Sequence, residues 1–194
     1  MKKLCLYLFL VFCWGTLSAQ TVKIIKTDIY TVTYSEIYQQ PLELTYTVKC
    51  PTGTADRAGL DFTKPKEIIT SDNDDYKNNI WDKGHLAPAA DFNCDIYTLK
   101  ETFNYLNCAL QHQGLNRGPW KELERFERDL AKVYAFVNII IVVHFEDKPQ
   151  NWLPTGALVP VGFTKTIWCD GERFDFYFPN TDVAGQDWIT FRIK

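Results

Sequence analysis

The stretch WDKGHLAPAADF, residues 81–92, sets a histidine directly behind a lysine and a glycine, and follows it with an apolar, proline-bearing run. Histidine occurs only three times in the 194 residues. Imidazole is the side chain whose ordinary pKa lies closest to neutrality, which makes it a ready proton carrier. His85 is therefore either an inert turn histidine or a working base. The glycine before it reads as a rigid loop able to aim the ring.

Downstream, TFNYLNCALQHQGLNRGPWKELERFERDL (residues 102–130) holds the amides Asn107, Gln111 and Asn116 close to turn residues. Pro119 is suited to a first helical position. After it Trp120, Leu123, Leu130 and Val133 or Tyr134 recur at helical spacing, with charged residues filling the other face. Glu124 and Arg128 lie four apart and share one helix face, either as an ordinary solvated pair or as part of a site. A straight helix would hold Asn116 and Glu124 about 12 Å apart. Pro119 instead places Asn116 in the turn before the helix, where it can fold back.

Residues 22–50 are rich in Val, Ile, Thr and Tyr, with Leu42, Leu44, Tyr46 and Val48 alternating onto one face and QQPLE as a hairpin connection. Residues 51–79 carry Pro51, Gly53, Gly59, Pro65 and the polar run SDNDDYKNN, the chemistry of a long irregular segment. Such loops often serve function. VNIIIVV (residues 137–143) reads as a buried strand, and GALVPVGFTKTIWC and RFDFYFPN as two more. The expected fold is a single α+β domain, residues 20–194, with a central antiparallel sheet and one main helix.

The first twenty residues, MKKLCLYLFLVFCWGTLSAQ, have two lysines, an apolar run and small residues ending at Ala19. This is the pattern of a secretory signal peptide, residues 1–19, which predicts export to the periplasm or medium. The apolar run is short for a bilayer, and no stable membrane insertion is expected after its removal. Cys50, Cys94, Cys108 and Cys169 then remain, and an even number in an exported chain predicts two disulfides with three alternative pairings. The whole chain carries a net charge of −3, and losing Lys2 and Lys3 deepens it. That excludes a globally basic nucleic-acid binder. Phosphate affinity would have to be local, from Lys83, Arg117, Lys121, Arg125 and Arg128.

Phosphodiester hydrolysis needs an activated water, charge at the phosphate and help for the leaving oxygen. A neutral imidazole can take the proton. A hard cation such as Mg²⁺ accepts oxygen ligands and keeps several waters. His85 as base, Asn116 as metal ligand and Lys83 as phosphate contact form such a set.

DKGHLAPAADF and LNRGPWKELE resemble the signatures of the DNA/RNA non-specific endonuclease family, the sugar-nonspecific nucleases with a ββα-metal (His-Me finger) site. YSEIYQQPLELTYTV, ALVPVGFTKTIW and FYFPNTD extend the resemblance from about residue 30 to the C-terminus. It implies a metal-dependent endonuclease acting on DNA and RNA without sequence specificity and leaving 5′-phosphates, with Mg²⁺ as cofactor and Mn²⁺ as the alternative. His85 matches the general base, Asn116 the direct Mg²⁺ ligand, and Glu124 the acid that holds a metal-bound water. Arg128 matches a basic residue near the scissile phosphate. Lys83 stands where the family usually has arginine, keeping the charge but losing the bidentate fork. Asn107 matches a supporting amide on the substrate side, and Arg57, in DRAGLDF, an upstream phosphate contact. Arg117 is grouped with the substrate-binding residues. His112 and His144 match no catalytic position. The alternative is a catalytically silent binding module on the same fold.

Overall fold

The computed structural model describes residues 22–193, so the expected leader lies outside the described residues. Six strands form one antiparallel sheet: β1 (Val22–Lys26), β2 (Tyr30–Ser35), β3 (Gln40–Thr47), β6 (Val137–His144), β7 (Gly162–Cys169) and β8 (Glu172–Pro179), in the order β1-β2-β3-β6-β7-β8. A separate ribbon pairs β4 (Trp81–His85) with β5 (Cys108–His112). Between its strands runs α1 (Ile96–Thr102), and after it come the short turn α2 (Gln113–Leu115), a π-helical segment (Asn116–Trp120) and α3 (Lys121–Ala131). The result is the expected α+β architecture. Of the residues expected on one face, Leu44, Tyr46 and Val48 are buried and Leu42 is half-buried.

Several expectations are corrected. WDKGH is a strand, not a loop, and His85 is its last residue, opposite Cys108. Gly84 is required there because a Cβ would run into the side chain of Gln111 on β5. The run 137–143 is buried on one face only: Ile139, Ile141 and Val143 lie in the same core cluster as Leu123 of α3 while Ile140 is exposed. An antiparallel sheet can leave one face to solvent, which is where Ile140 points. The inner face of α3 is not purely apolar. Glu127 is fully buried on it, beside Trp120 and Leu123.

The four described cysteines form one disulfide, Cys50–Cys94, rather than two. Cys108 opens β5 in the ribbon and Cys169 closes β7 in the large sheet, and both remain buried thiols.

The ribbon is fastened to the sheet by side-chain amides. Gln40 Oε1 accepts the Leu110 N–H, and Asn180 accepts the His112 N–H while donating to the Leu110 carbonyl. These bonds satisfy the open edge of β5, which would otherwise leave buried backbone groups unpaired. Trp120, in van der Waals range of Phe163 and Phe178 with ring centroids 5.5 and 5.6 Å away, seats the start of the helix on β7 and β8.

Candidate active site

The ribbon and α3 meet at a cavity of about 740 Å³. His85, Lys83, Asn116, Glu124, Arg128, Arg57 and Arg117 all line it. They arrive from the long segment, from β4 and from the helical stretch. Asn107 does not line it.

Gly118 breaks helical geometry with φ −105° and ψ −119°, and the helix resumes at Pro119. Asn116 therefore sits before a kink, as the proline suggested, and both it and Glu124 face one cavity. Asp82 holds the amide in place: Asn116 Nδ2 donates to Asp82 Oδ2 at 2.9 Å, leaving the amide oxygen as the donor atom for a cation. Arg117 forks onto the same carboxylate, Nε to Oδ2 at 2.8 Å and Nη2 to Oδ1 at 2.6 Å. Burial pushes the Asp82 carboxyl up, but these hydrogen bonds outweigh it and hold it below the usual carboxylate range.

The His85 ring lies between Phe62, 4.6 Å away, and Phe103, 4.9 Å away and edge-on. Burial, with the Arg57 charge second, pushes its pKa down to about 3. The imidazole is thus neutral at physiological pH, and its Nε2 is buried without a hydrogen-bond partner among the described residues. A buried polar atom left without a partner on the wall of a cavity is a group that calls for one from a bound molecule. Burial raises Glu124 to about 7, the nearby Lys165 charge opposing it and Glu127 adding to it. A bound cation would favour its ionised form.

Arg128 donates through Nη1 to Asp91 Oδ1 at 2.9 Å, and Asp91 is fully buried. Asp91 thus turns a long side chain into a fixed charge at the cavity wall. Arg57 stacks over Phe103 at 5.6 Å. Lys83 lies over Phe62 and Tyr105, its Nζ 2.6 Å from Asp61 Oδ1. Five cations (Arg57, Lys83, Arg117, Lys121 and Arg128) face three carboxylates (Asp61, Asp82 and Glu124). The cleft is locally basic in an acidic chain, as phosphate binding requires. Arg125 is outside it, paired with Glu122 on the helix surface.

Asn107 is corrected from substrate contact to scaffold. It is fully buried, its Oδ1 accepts the Ala87 N–H, and its Nδ2 donates to the Ala87 and Thr102 carbonyls. Every hydrogen-bonding group of its side chain is spent on fixing the chain just after His85. His112 accepts the Gly114 N–H and caps α2. Asp82, Asp91 and Asp61 were missed by sequence reasoning. Asp82 and Asp91 stand inside the opening motif, but only their partners in space reveal what they do.

The family model described as DNA/RNA non-specific endonuclease matches residues 25–194. The chain is similar to the mitochondrial nuclease of Saccharomyces cerevisiae, 40% identical over 139 residues, covering 60% of this chain and 42% of that protein. It is 32% identical to human mitochondrial endonuclease G over 90 residues, 45% of this chain and 30% of that protein. It is 34% identical to mitochondrial nuclease EXOG of Danio rerio over 74 residues, 38% of this chain and 22% of that protein. The matched stretches thus span less than half the length of these relatives. In fold it resembles a chain in the crystal structure of an EndoG/EndoGI complex, with TM-score 0.78 and 24% identity over 88% of this chain and 80% of that one.

Proposed function

The chain belongs to the DNA/RNA non-specific endonuclease family, and from that membership we propose that it is an exported, Mg²⁺-dependent endonuclease that hydrolyses phosphodiester bonds of DNA and RNA without sequence preference. One observation carries the reading: a neutral, unpartnered His85 shares a cationic cleft with Asn116, Glu124 and Arg128.

Asn116 through its amide oxygen and Glu124 through a water would hold Mg²⁺. Both are hard oxygen donors, and so thin a set suits a cation that keeps most of its waters. Mn²⁺ is the alternative. When bound, the ion supplies charge stabilisation at the phosphate and the leaving oxygen. Arg57, Lys83, Arg117 and Arg128 hold backbone phosphates in the cleft. His85 Nε2 takes a proton from the attacking water as its oxygen bonds to phosphorus. The bond to the 3′ oxygen breaks, leaving a 5′-phosphate. Recognition through phosphates alone carries no base information, which supports the lack of sequence preference.

Export by a leader at residues 1–19, with residues 20–194 as one domain, is part of the same proposal. The Cys50–Cys94 disulfide supports it, because such bonds persist in oxidising compartments. Among the described residues no helix is long and apolar enough to cross a membrane.

The test is degradation of plasmid DNA and of RNA by residues 20–194, with and without Mg²⁺, beside His85→Ala. Cleavage that needs both the cation and His85 is the expected result. No cleavage by folded protein with Mg²⁺, Mn²⁺ or Ca²⁺ would leave the silent binding module.

A further inference from the structure

Of the three carboxylates in the cleft, two have work in the proposed reaction. Asp82 orients Asn116, and Glu124 faces the cation position. Asp61 has none, yet it is bonded to the lysine that stands where the family usually has arginine.

Asp61 Oδ1 takes Lys83 Nζ at 2.6 Å and also the Phe62 N–H at 2.8 Å. Lys83 lies over Phe62 and Tyr105, with 23% of its side chain exposed, so its ammonium has a defined place. Asp61 is 63% exposed on the irregular segment that also carries Arg57. The lysine is held by the site, and the carboxylate is held mainly by the lysine. An exposed ion pair of this kind is weak, so exchanging its anion costs little. A carboxylate and a phosphodiester oxygen are the same kind of acceptor for an ammonium. An ammonium is a compact point charge, whereas an arginine fork could serve two anions side by side.

We propose that Asp61 is a built-in anionic competitor that occupies Lys83 in the free protein and that a nucleic-acid phosphate must displace. This rests on reading the cleft as the phosphate-binding site of a nuclease. The consequence is selection by chain length. A polynucleotide engages Arg57, Arg117 and Arg128 at the same time, so its phosphate reaches Lys83 at high effective concentration and displaces Asp61. A single phosphate group has no such help and is turned away. Asp61 thereby weakens binding of inorganic phosphate and of the shortest products while leaving long chains as substrates.

The experiment is a double-mutant cycle on wild type, Asp61→Asn, Lys83→Gln and the double variant. Affinity for a labelled duplex is read by fluorescence anisotropy in metal-free buffer, and displacement by inorganic phosphate in the same cell. Asp61→Asn is expected to tighten duplex binding by about threefold, the scale of an exposed ion pair. Inorganic phosphate should likewise become a stronger competitor, because it too must displace the carboxylate from Lys83. In the Lys83→Gln background both gains should vanish, because coupling between the sites is the claim. Weaker or unchanged binding by Asp61→Asn would overturn the proposal, since Asp61 would then be aiming Lys83 or doing nothing. An equal gain in the Lys83→Gln background would also overturn it, showing only loss of a negative charge. The readout needs no cleavage, so an inactive wild type would count against the nuclease reading and leave this cycle to decide the role of Asp61.

Discussion

Asp82 and Asn116 are joined by one hydrogen bond of 2.9 Å, and it fixes which end of the amide faces the cleft. Thirty-four positions of sequence separate them, yet the bond decides whether position 116 offers a cation an oxygen or a nitrogen. Supporting partners of this kind typically contribute 10–100-fold to metal affinity. Asp82→Ala is therefore expected to lower Mg²⁺ affinity by about tenfold or more, measured by calorimetry on protein whose melting shows it folded. Unchanged affinity would mean that Asn116 holds its orientation without Asp82.

Glu124 ties cation binding to pH. Its folded pKa is raised to about 7 by burial, so below that pH a proton occupies the carboxylate. Mg²⁺ affinity should fall as pH drops from 8 to 5, and Glu124→Gln should flatten that dependence. In the cation-free protein the folded state binds this proton more tightly than the unfolded chain. Glu124 therefore costs stability as pH rises from about 4.5 to about 7. A cation titration at several pH values checks the first effect and urea unfolding at the same pH values the second.

His85 works in the opposite sense. Its folded pKa is depressed from 6.5 to about 3, so its contribution to stability is complete above pH 6.5 and is lost progressively as pH falls toward 3. His85→Ala should abolish that acid-side loss in thermal melts. In the cleavage assay it should remove about 10²–10⁴-fold of rate, the usual weight of a general base. A rate loss below tenfold would assign the base elsewhere.

Lys165 and Glu127 form a fully buried pair at 2.7 Å, with Tyr46 donating to Glu127 and the lysine 4.3 Å from the centre of the Trp120 ring. It pins α3 to β3 and β7. Lys165→Met strands a buried carboxylate and should cost about 3–5 kcal/mol in urea unfolding, whereas Lys165→Met with Glu127→Gln should recover most of it. A double variant as unstable as the single would show that the lysine acts through packing and not through the pair.

Thiol labelling under denaturing conditions should find one disulfide and two free thiols in residues 20–194. Cys50→Ser with Cys94→Ser should lower stability by about 2–4 kcal/mol, the range for a closed loop of this size. Four protected cysteines would reinstate the second bond that the cysteine count suggested.

What the sequence determined by itself is what depends on near neighbours. Alternation marked the faces of β3. The step of four placed Glu124 and Arg128 together, and Pro119 marked the restart of the helix after Asn116. The two motifs carried Lys83, His85, Asn116, Arg117 and Glu124, all of which line the cavity. Tertiary structure decided the partners. Asp82 meets Arg117, Asp91 meets Arg128, Asp61 meets Lys83, and Glu127 meets Lys165 across 22 to 38 positions. Asn107 turned from substrate contact into scaffold because the short turn leading into β5 buries it against Ala87 and Thr102. Cys108 and Cys169 stayed thiols, one in the ribbon and one in the large sheet. Local periodicity follows from the geometry of one helix or strand. The identity of a charge's partner follows from register and packing between elements, which no window of sequence contains.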